Sequence, residues 1–149
     1  MKKFKLGALI FSAMLLLNGT AFAGGIGYID YAKVSENDSY AKAAVKEIDA
    51  KGLELQQYLV DREKEFKNLD TPLKKKNFEE KVASEFKAKE AAYVKLRVQK
   101  EEAVFNRIQS AAKAVMVEQK LDAIMDQRGV FVGGFDITDM VINKLKGAR

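Results

Sequence analysis

The only proline of the chain, Pro72, divides a long charged stretch that otherwise has the composition of continuous helix. Proline is favoured in the first turn of a helix, and Thr71 before it is a good N-cap. Because the residue before a proline avoids helical geometry, one helix is predicted to end near Leu69 and a second to begin at Pro72. So short a connection indicates an antiparallel helical hairpin. Two long helices cannot enclose a globular core, so residues 39–120 are predicted to be an arm with its tip near 70–72, held by a body made of 24–38 and 121–149.

The two helices of the arm have different apolar periods. In the first, steps of three and four residues define a coiled-coil seam interrupted by Gly52 and Arg62. In the second, an eleven-residue recurrence predicts a straighter path. The mismatch predicts an imperfect, bendable pairing, and Gly52 is the hinge candidate. The first seam consists of Val45, Ile48, Leu55, Leu59, Phe66 and Leu69, and the second recurs at Val82, Tyr93, Val104 and Val115. Apolar residues off these seams are candidates for binding a client protein: Tyr58, Val60, Val94 and Val98.

Positive charge is concentrated just after the break. Residues 72–100 contain nine basic and four acidic residues, a net charge of 9 − 4 = +5. Such a block either attracts anionic partners or is simply a solvated helix face. Lysines oppose the dipole at the start of a helix, which favours a role in binding. The lysines predicted to steer acidic or membrane-bound partners to the tip are Lys74, Lys75 and Lys76.

The N-terminus has the features of a secretory signal peptide. A basic start at 1–5 is followed by an apolar run at 6–17 and by the small-x-small site Ala21-Phe22-Ala23. The run is too short to cross a bilayer. We therefore expect residues 1–23 to be removed near Ala23/Gly24 and the protein to be exported. The chain has no Cys and no His, which excludes cysteine and histidine nucleophiles and metal sites that use them.

Short β-prone pieces flank the arm. Residues 26–31 are predicted to form one strand, while 121–126 and 130–132, ending in Gly133-Gly134, are predicted to form a β-hairpin. A last short helix is predicted to begin at 136–139. Two or three strands are marginally stable alone, so we expect subunits to share a sheet, in a number that the pattern leaves open. The residues assigned to this body are Ile26, Tyr28, Ile29, Val130, Val132, Ile137 and Val141.

Several of these segments, in this order, resemble the Skp/OmpH family of periplasmic chaperones. The segments are Gly27-Tyr28-Ile29-Asp30 with Val34, Glu54-Leu55-Gln56, Arg107-Ile108-Gln109-Ser110-Ala111, Asp122-Ala123-Ile124-Met125-Asp126 and Asp136-Ile137-Thr138-Asp139-Met140-Val141. The resemblance implies a mostly α, α+β fold in which coiled-coil tentacles hang from a small β-barrel body shared between three subunits. It further implies a periplasmic holdase that works without ATP or any cofactor and keeps unfolded outer-membrane proteins from aggregating.

Other functions fit the residues less well. Paired carboxylates such as Glu79-Glu80 lie on predicted solvated helix faces without a pocket, so no enzyme is expected. Nucleic-acid binding is not expected in an exported chain that lacks basic residues interleaved with stacking aromatics. The alternatives are a structural coiled-coil protein of the envelope, or a protein that binds lipopolysaccharide or another anionic membrane surface.

Overall fold

The computed structural model describes residues 24–147, and the predicted signal peptide lies outside this range. The helices are α1 (Tyr31–Asn37), α2 (Ser39–Lys67), α3 (Pro72–Glu118) and α4 (Thr138–Gly147). The strands are β1 (Ile26–Ile29), β2 (Ala123–Asp126) and β3 (Phe135–Asp136), with a 3-10 turn at Gln127–Gly129 after β2. The predicted class, mostly helical with a small sheet, is confirmed. None of the helices in 24–147 has a stretch apolar and long enough to cross a membrane.

The arm is formed by α2 and α3, which pair along their length. Asp38 caps α2 by accepting a hydrogen bond from the Ala41 amide at 3.3 Å, and Thr71 caps α3 by accepting one from the Lys74 amide at 3.3 Å. Pro72 occupies the first turn of α3, where its missing amide hydrogen costs nothing. The predicted break between the two helices is confirmed.

The sheet is parallel throughout, with β1 between β2 and β3. The predicted hairpin is therefore wrong, because the two strands after the arm pair with β1 and not with each other. Residues 127–134 cross over from one edge of the sheet to the other, and Val130–Val132 lie in this connection instead of in a strand. Gly133 and Gly134 have left-handed φ values of +82° and +88°, which end the connection and set the direction of β3.

The hydrophobic core lies where α1, α4 and the last turns of α3 meet β1. Its most deeply buried side chains are Val34, Ile108, Val115, Ile137 and Val141. Of the residues assigned to the body, Ile29, Ile137 and Val141 are buried in the single chain, Tyr28 and Val130 are partly buried, and Ile26 and Val132 are exposed. The β-barrel and its sharing between three subunits stay predictions.

A buried ion pair joins the arm to this core. The Asp38 carboxylate, at the junction of α1 and α2, accepts from Arg107 Nε at 3.2 Å, and its side chain is only 2% exposed. Arg107 Nη2 also donates to the Leu145 carbonyl oxygen of α4 at 3.2 Å. One guanidinium group thus ties together the start of one arm helix, the end of the other and the C-terminal helix.

Candidate functional site

The two arm helices contact each other through a seam that changes in character along its length. Near the body, the small side chains of Ala41 and Ala44 are buried between the helices. Further out, a Cβ added at Gly52 would lie 3.6 Å from Tyr93 Cε2, so the Tyr93 ring covers this glycine. Close to the tip, the rings of Phe66 and Phe78 pack at 6.3 Å between centroids.

The seam is more open than the spacing predicts. Val45 and Leu59, placed in it by the three-four spacing, each line a cavity between the helices but are 55% and 43% exposed. Tyr58, predicted to face a client, lies between the helices instead and is partly buried. A heptad pattern read from one helix locates the seam only to within about one residue, since neighbouring positions differ by about 100° around the axis.

Tyr58 is the centre of a polar layer that lies halfway along the arm. Its hydroxyl donates to Glu85 Oε2 at 2.7 Å, while Lys89 and Arg62 approach its ring at 4.9 and 5.3 Å. Desolvation and the hydrogen bond to Glu85 both raise the pKa of the Tyr58 hydroxyl, and that hydrogen bond lowers the pKa of Glu85. The phenol therefore remains a donor to a carboxylate. Tyr58 is fully engaged in holding the two helices together.

The opposite side of the arm carries exposed apolar residues. Val45 of α2 and Glu101 of α3 line the same cavity between the helices, so these two residues lie on the same side of the hairpin. At 3.6 residues per turn, the exposed apolar residues of α2 lie within about 80° of Val45 around the helix axis. Those of α3 lie within the same angle of Glu101. We call this side the apolar flank; it comprises Leu53 and Val60 on α2 and Val94, Val98 and Phe105 on α3, each between 44% and 64% exposed.

The apolar flank agrees in part with the predicted client-binding residues. Val60, Val94 and Val98 come together on it, and Tyr58 does not. Leu53 and Phe105 were missed, although both lie seven residues from another member of the flank, which is the spacing of one helix face. The flank is not purely apolar, since Arg97 and Glu101 lie between its apolar residues on α3 and form an exposed ion pair at 3.6 Å.

The predicted lysine cluster at the tip has uneven surroundings. Lys74 Nζ forms an ion pair with Asp70 at 2.9 Å, and this hydrogen bond lowers the pKa of Asp70. Lys75 lies over the Phe66 ring, with its Nζ 5.4 Å from the ring centroid. Lys76 and Leu73 are exposed. The tip therefore combines positive charge with an exposed leucine.

A family model described as "Outer membrane protein (OmpH-like)" matches residues 25–145. This range contains the whole arm, the three strands, α1 and most of α4. The chain belongs to the OmpH-like family. A crystal structure of an OmpH-like protein from Caulobacter crescentus is similar at 15% identity and a TM-score of 0.42, covering 85% of this chain and 86% of that one. No curated protein matches the chain. The family resemblance found in the sequence is confirmed by the family model.

Proposed function

We propose that this OmpH-like protein is an ATP-independent holdase of the periplasm that binds unfolded outer-membrane β-barrel proteins between the arms of a homotrimer. The observation that carries the proposal is the apolar flank. Exposed apolar side chains recur along it between charges of both signs. Strands of outer-membrane barrels alternate apolar and polar residues, so an unfolded strand offers both kinds of contact to such a surface.

The weakness of each contact suits a holdase. A half-exposed valine has little surface left to cover, so a single contact is easily broken. Several arms that hold one client raise the effective concentration of the others, and retention therefore requires no single strong site. A client released from one arm is recaptured, while a client that folds elsewhere leaves without any energy input.

The small sheet supports the proposed trimer. Three short strands are marginal in water, and the sheet leaves Ile26, Met125 and Phe135 between 42% and 49% exposed. Sharing this sheet among three copies would cover these side chains and hang three arms from one body. Gly52 remains the proposed hinge of each arm; solution scattering of Gly52→Ala, which meets Tyr93 at an ordinary contact distance, is its test.

Dilution of a urea-unfolded outer-membrane barrel protein into buffer tests the proposed function directly. We expect a near-stoichiometric amount of the trimer, without nucleotide, to suppress the light scattering of the aggregating client. A structural coiled-coil protein of the envelope has no need to bind unfolded chains. Unchanged aggregation at several-fold excess of the trimer would therefore contradict the holdase and favour that alternative.

The lysines of the tip are proposed to steer clients or anionic membrane surfaces, lipopolysaccharide included, toward the arms. Replacing Lys74, Lys75 and Lys76 by Gln should slow client association several-fold at low ionic strength and much less at high salt, because screening shortens the reach of exposed charges. Stopped-flow association rates at two salt concentrations measure this. Replacement of three other exposed lysines of the arm and body, Lys46, Lys95 and Lys146, is the control. Equal rates for all three proteins at low salt would remove the steering role.

A further inference from the structure

The connection between β2 and β3 presents an exposed apolar knob. Phe131 is 103% exposed and Val132 86% exposed. The turn that leads into it is held by two hydrogen bonds, from the Val130 amide to the Gln127 carbonyl oxygen at 3.1 Å and from the Arg128 amide to Asp126 Oδ1 at 2.9 Å. Two adjacent, almost fully exposed apolar side chains form a small apolar patch of the kind that a partner can cover. We call Phe131 and Val132 the knob.

A groove of matching character lies between α3 and the sheet. Its volume is about 330 Å³ and it opens to the surface. Its walls are apolar and its rim carries Gln109, Lys113 and Asp126. The size is at the lower end of that of ligand pockets, enough for one large side chain or two smaller ones. The apolar walls are formed by Ile29, Ile108, Ala112, Met116 and Ile124, with Phe105 beside them.

The knob and the groove lie on opposite faces of the same sheet. Successive side chains of a strand point to opposite faces. Ile29 and Ile124 face α3 and line the groove, whereas Ile26 lies beneath the connection that carries the knob. Met125, on the edge strand β2, borders both surfaces. A Cβ added at Gly134 would come within 3.0 Å of the Tyr28 ring, which places the connection against this second face. Phe131 and Val132 line the cavity on this second face and not the groove, so the knob does not occupy the groove of its own chain.

We propose that the Phe131 knob of one copy inserts into the groove of the next copy. This inference rests on the proposed homotrimer and names the contact that builds it. The same chain carries a bulky, fully exposed apolar side chain and an open apolar groove of a size that suits it. A second copy supplies both at once, and an aromatic side chain buries about 150–250 Å² in such a contact. Since knob and groove are different surfaces, the contact is head-to-tail, and it closes into a three-membered ring when each copy is rotated by a third of a turn relative to the last.

Cysteine pairing between two tagged versions of the chain tests which surfaces meet. The natural sequence has no cysteine, so each introduced thiol is unique. One version carries Phe131→Cys and the other Met116→Cys, and the two are coexpressed. We expect a disulfide-linked mixed dimer that neither version forms alone. Val117→Cys, on the same helix as Met116 and 72% exposed, is the matched control and should give no mixed dimer. Self-linking of the Phe131→Cys version, or equal linking to the control, would overturn the proposal.

The mass of a Phe131→Ser variant in solution is the second test. Because Phe131 touches so little of its own chain, the variant should fold normally by circular dichroism. We expect its assembly to require on the order of a hundred-fold higher protein concentration than the natural chain, with no change for Val117→Ser. A variant that assembles like the natural protein would overturn the contact while leaving the trimer intact. If the cross-link forms but clients still aggregate, the holdase fails and the contact stands.

Discussion

Replacing Arg107 by alanine is expected to lower the free energy of unfolding by about 3 kcal/mol, because the substitution leaves a buried carboxylate without its cation. Asp38 is 3% exposed, and its other hydrogen bond is the long one from the Ala41 amide. The Leu145 carbonyl oxygen would lose its partner in the same step. The guanidinium is partly exposed, which lets water replace some of what is lost and puts the effect at the lower end of the range for buried pairs.

An exposed ion pair of the arm should contribute much less to the free energy of unfolding than the pair of Asp38 and Arg107. Arg97 and Glu101 form an i,i+4 pair with both side chains about half exposed, and Arg97→Ala should cost about 0.5 kcal/mol or less. Asp38→Asn keeps an N-cap for α2 and removes the charge, so the double variant Asp38→Asn/Arg107→Ala should be more stable than Arg107→Ala alone. Urea unfolding at one fixed protein concentration gives these differences, since the stability of an oligomer depends on concentration. Equal losses for Arg107→Ala and Arg97→Ala would contradict a buried ionic tie.

The parts of the fold that depend on local chemistry could be predicted from the sequence. Pro72 after Thr71 strongly favours the start of a helix, and the helices on either side of this break form the arm. The parallel sheet could not be predicted from local residues. Val130–Val132 consists of strand-forming residues, but β2 and β3 both pair with β1, and Val130–Val132 lies in the connection between them. The family resemblance located β1 and β2 in the chain, but it did not locate β3 at Phe135–Asp136 and did not assign the pairing of the strands.

In the candidate site, too, local patterns predicted some residues correctly and missed those that depend on distant partners. Val60, Val94 and Val98 were predictable as exposed because they fall off the apolar period of their helices. Tyr58 also falls off that period, but its hydroxyl finds Glu85 on the other helix, and a partner 27 residues away is invisible to a local pattern. Asp38 and Arg107, 69 residues apart, were missed for the same reason. Polar pairs between residues far apart in the chain are therefore the contacts that could least be predicted from this sequence.

Replacement of four of the five residues of the apolar flank, all but Phe105, by glutamine is expected to abolish protection of the client. Leu53→Gln, Val60→Gln, Val94→Gln and Val98→Gln retain good helix formers, so the arm should keep its helicity. At about 0.7 kcal/mol for each half-covered side chain, four of them amount to about 3 kcal/mol, or roughly a hundred-fold in affinity for one arm. Since arms that share a client act together, the loss compounds across the trimer.

The measurement is the client concentration that remains soluble at a fixed ratio of client to trimer. Val117→Gln with Met140→Gln, exposed apolar residues of α3 and α4 outside the flank, is the control and should protect like the natural chain. Circular dichroism and solution mass must match among the three proteins, so that lost protection reflects the surface and not the fold. Full protection by the flank variant would assign client binding to another surface. Because the polar layer around Tyr58 occupies the other side of the arm, such a result would indicate that clients bind there through charged contacts. Binding of that kind would weaken at high salt, whereas binding to the apolar flank would not.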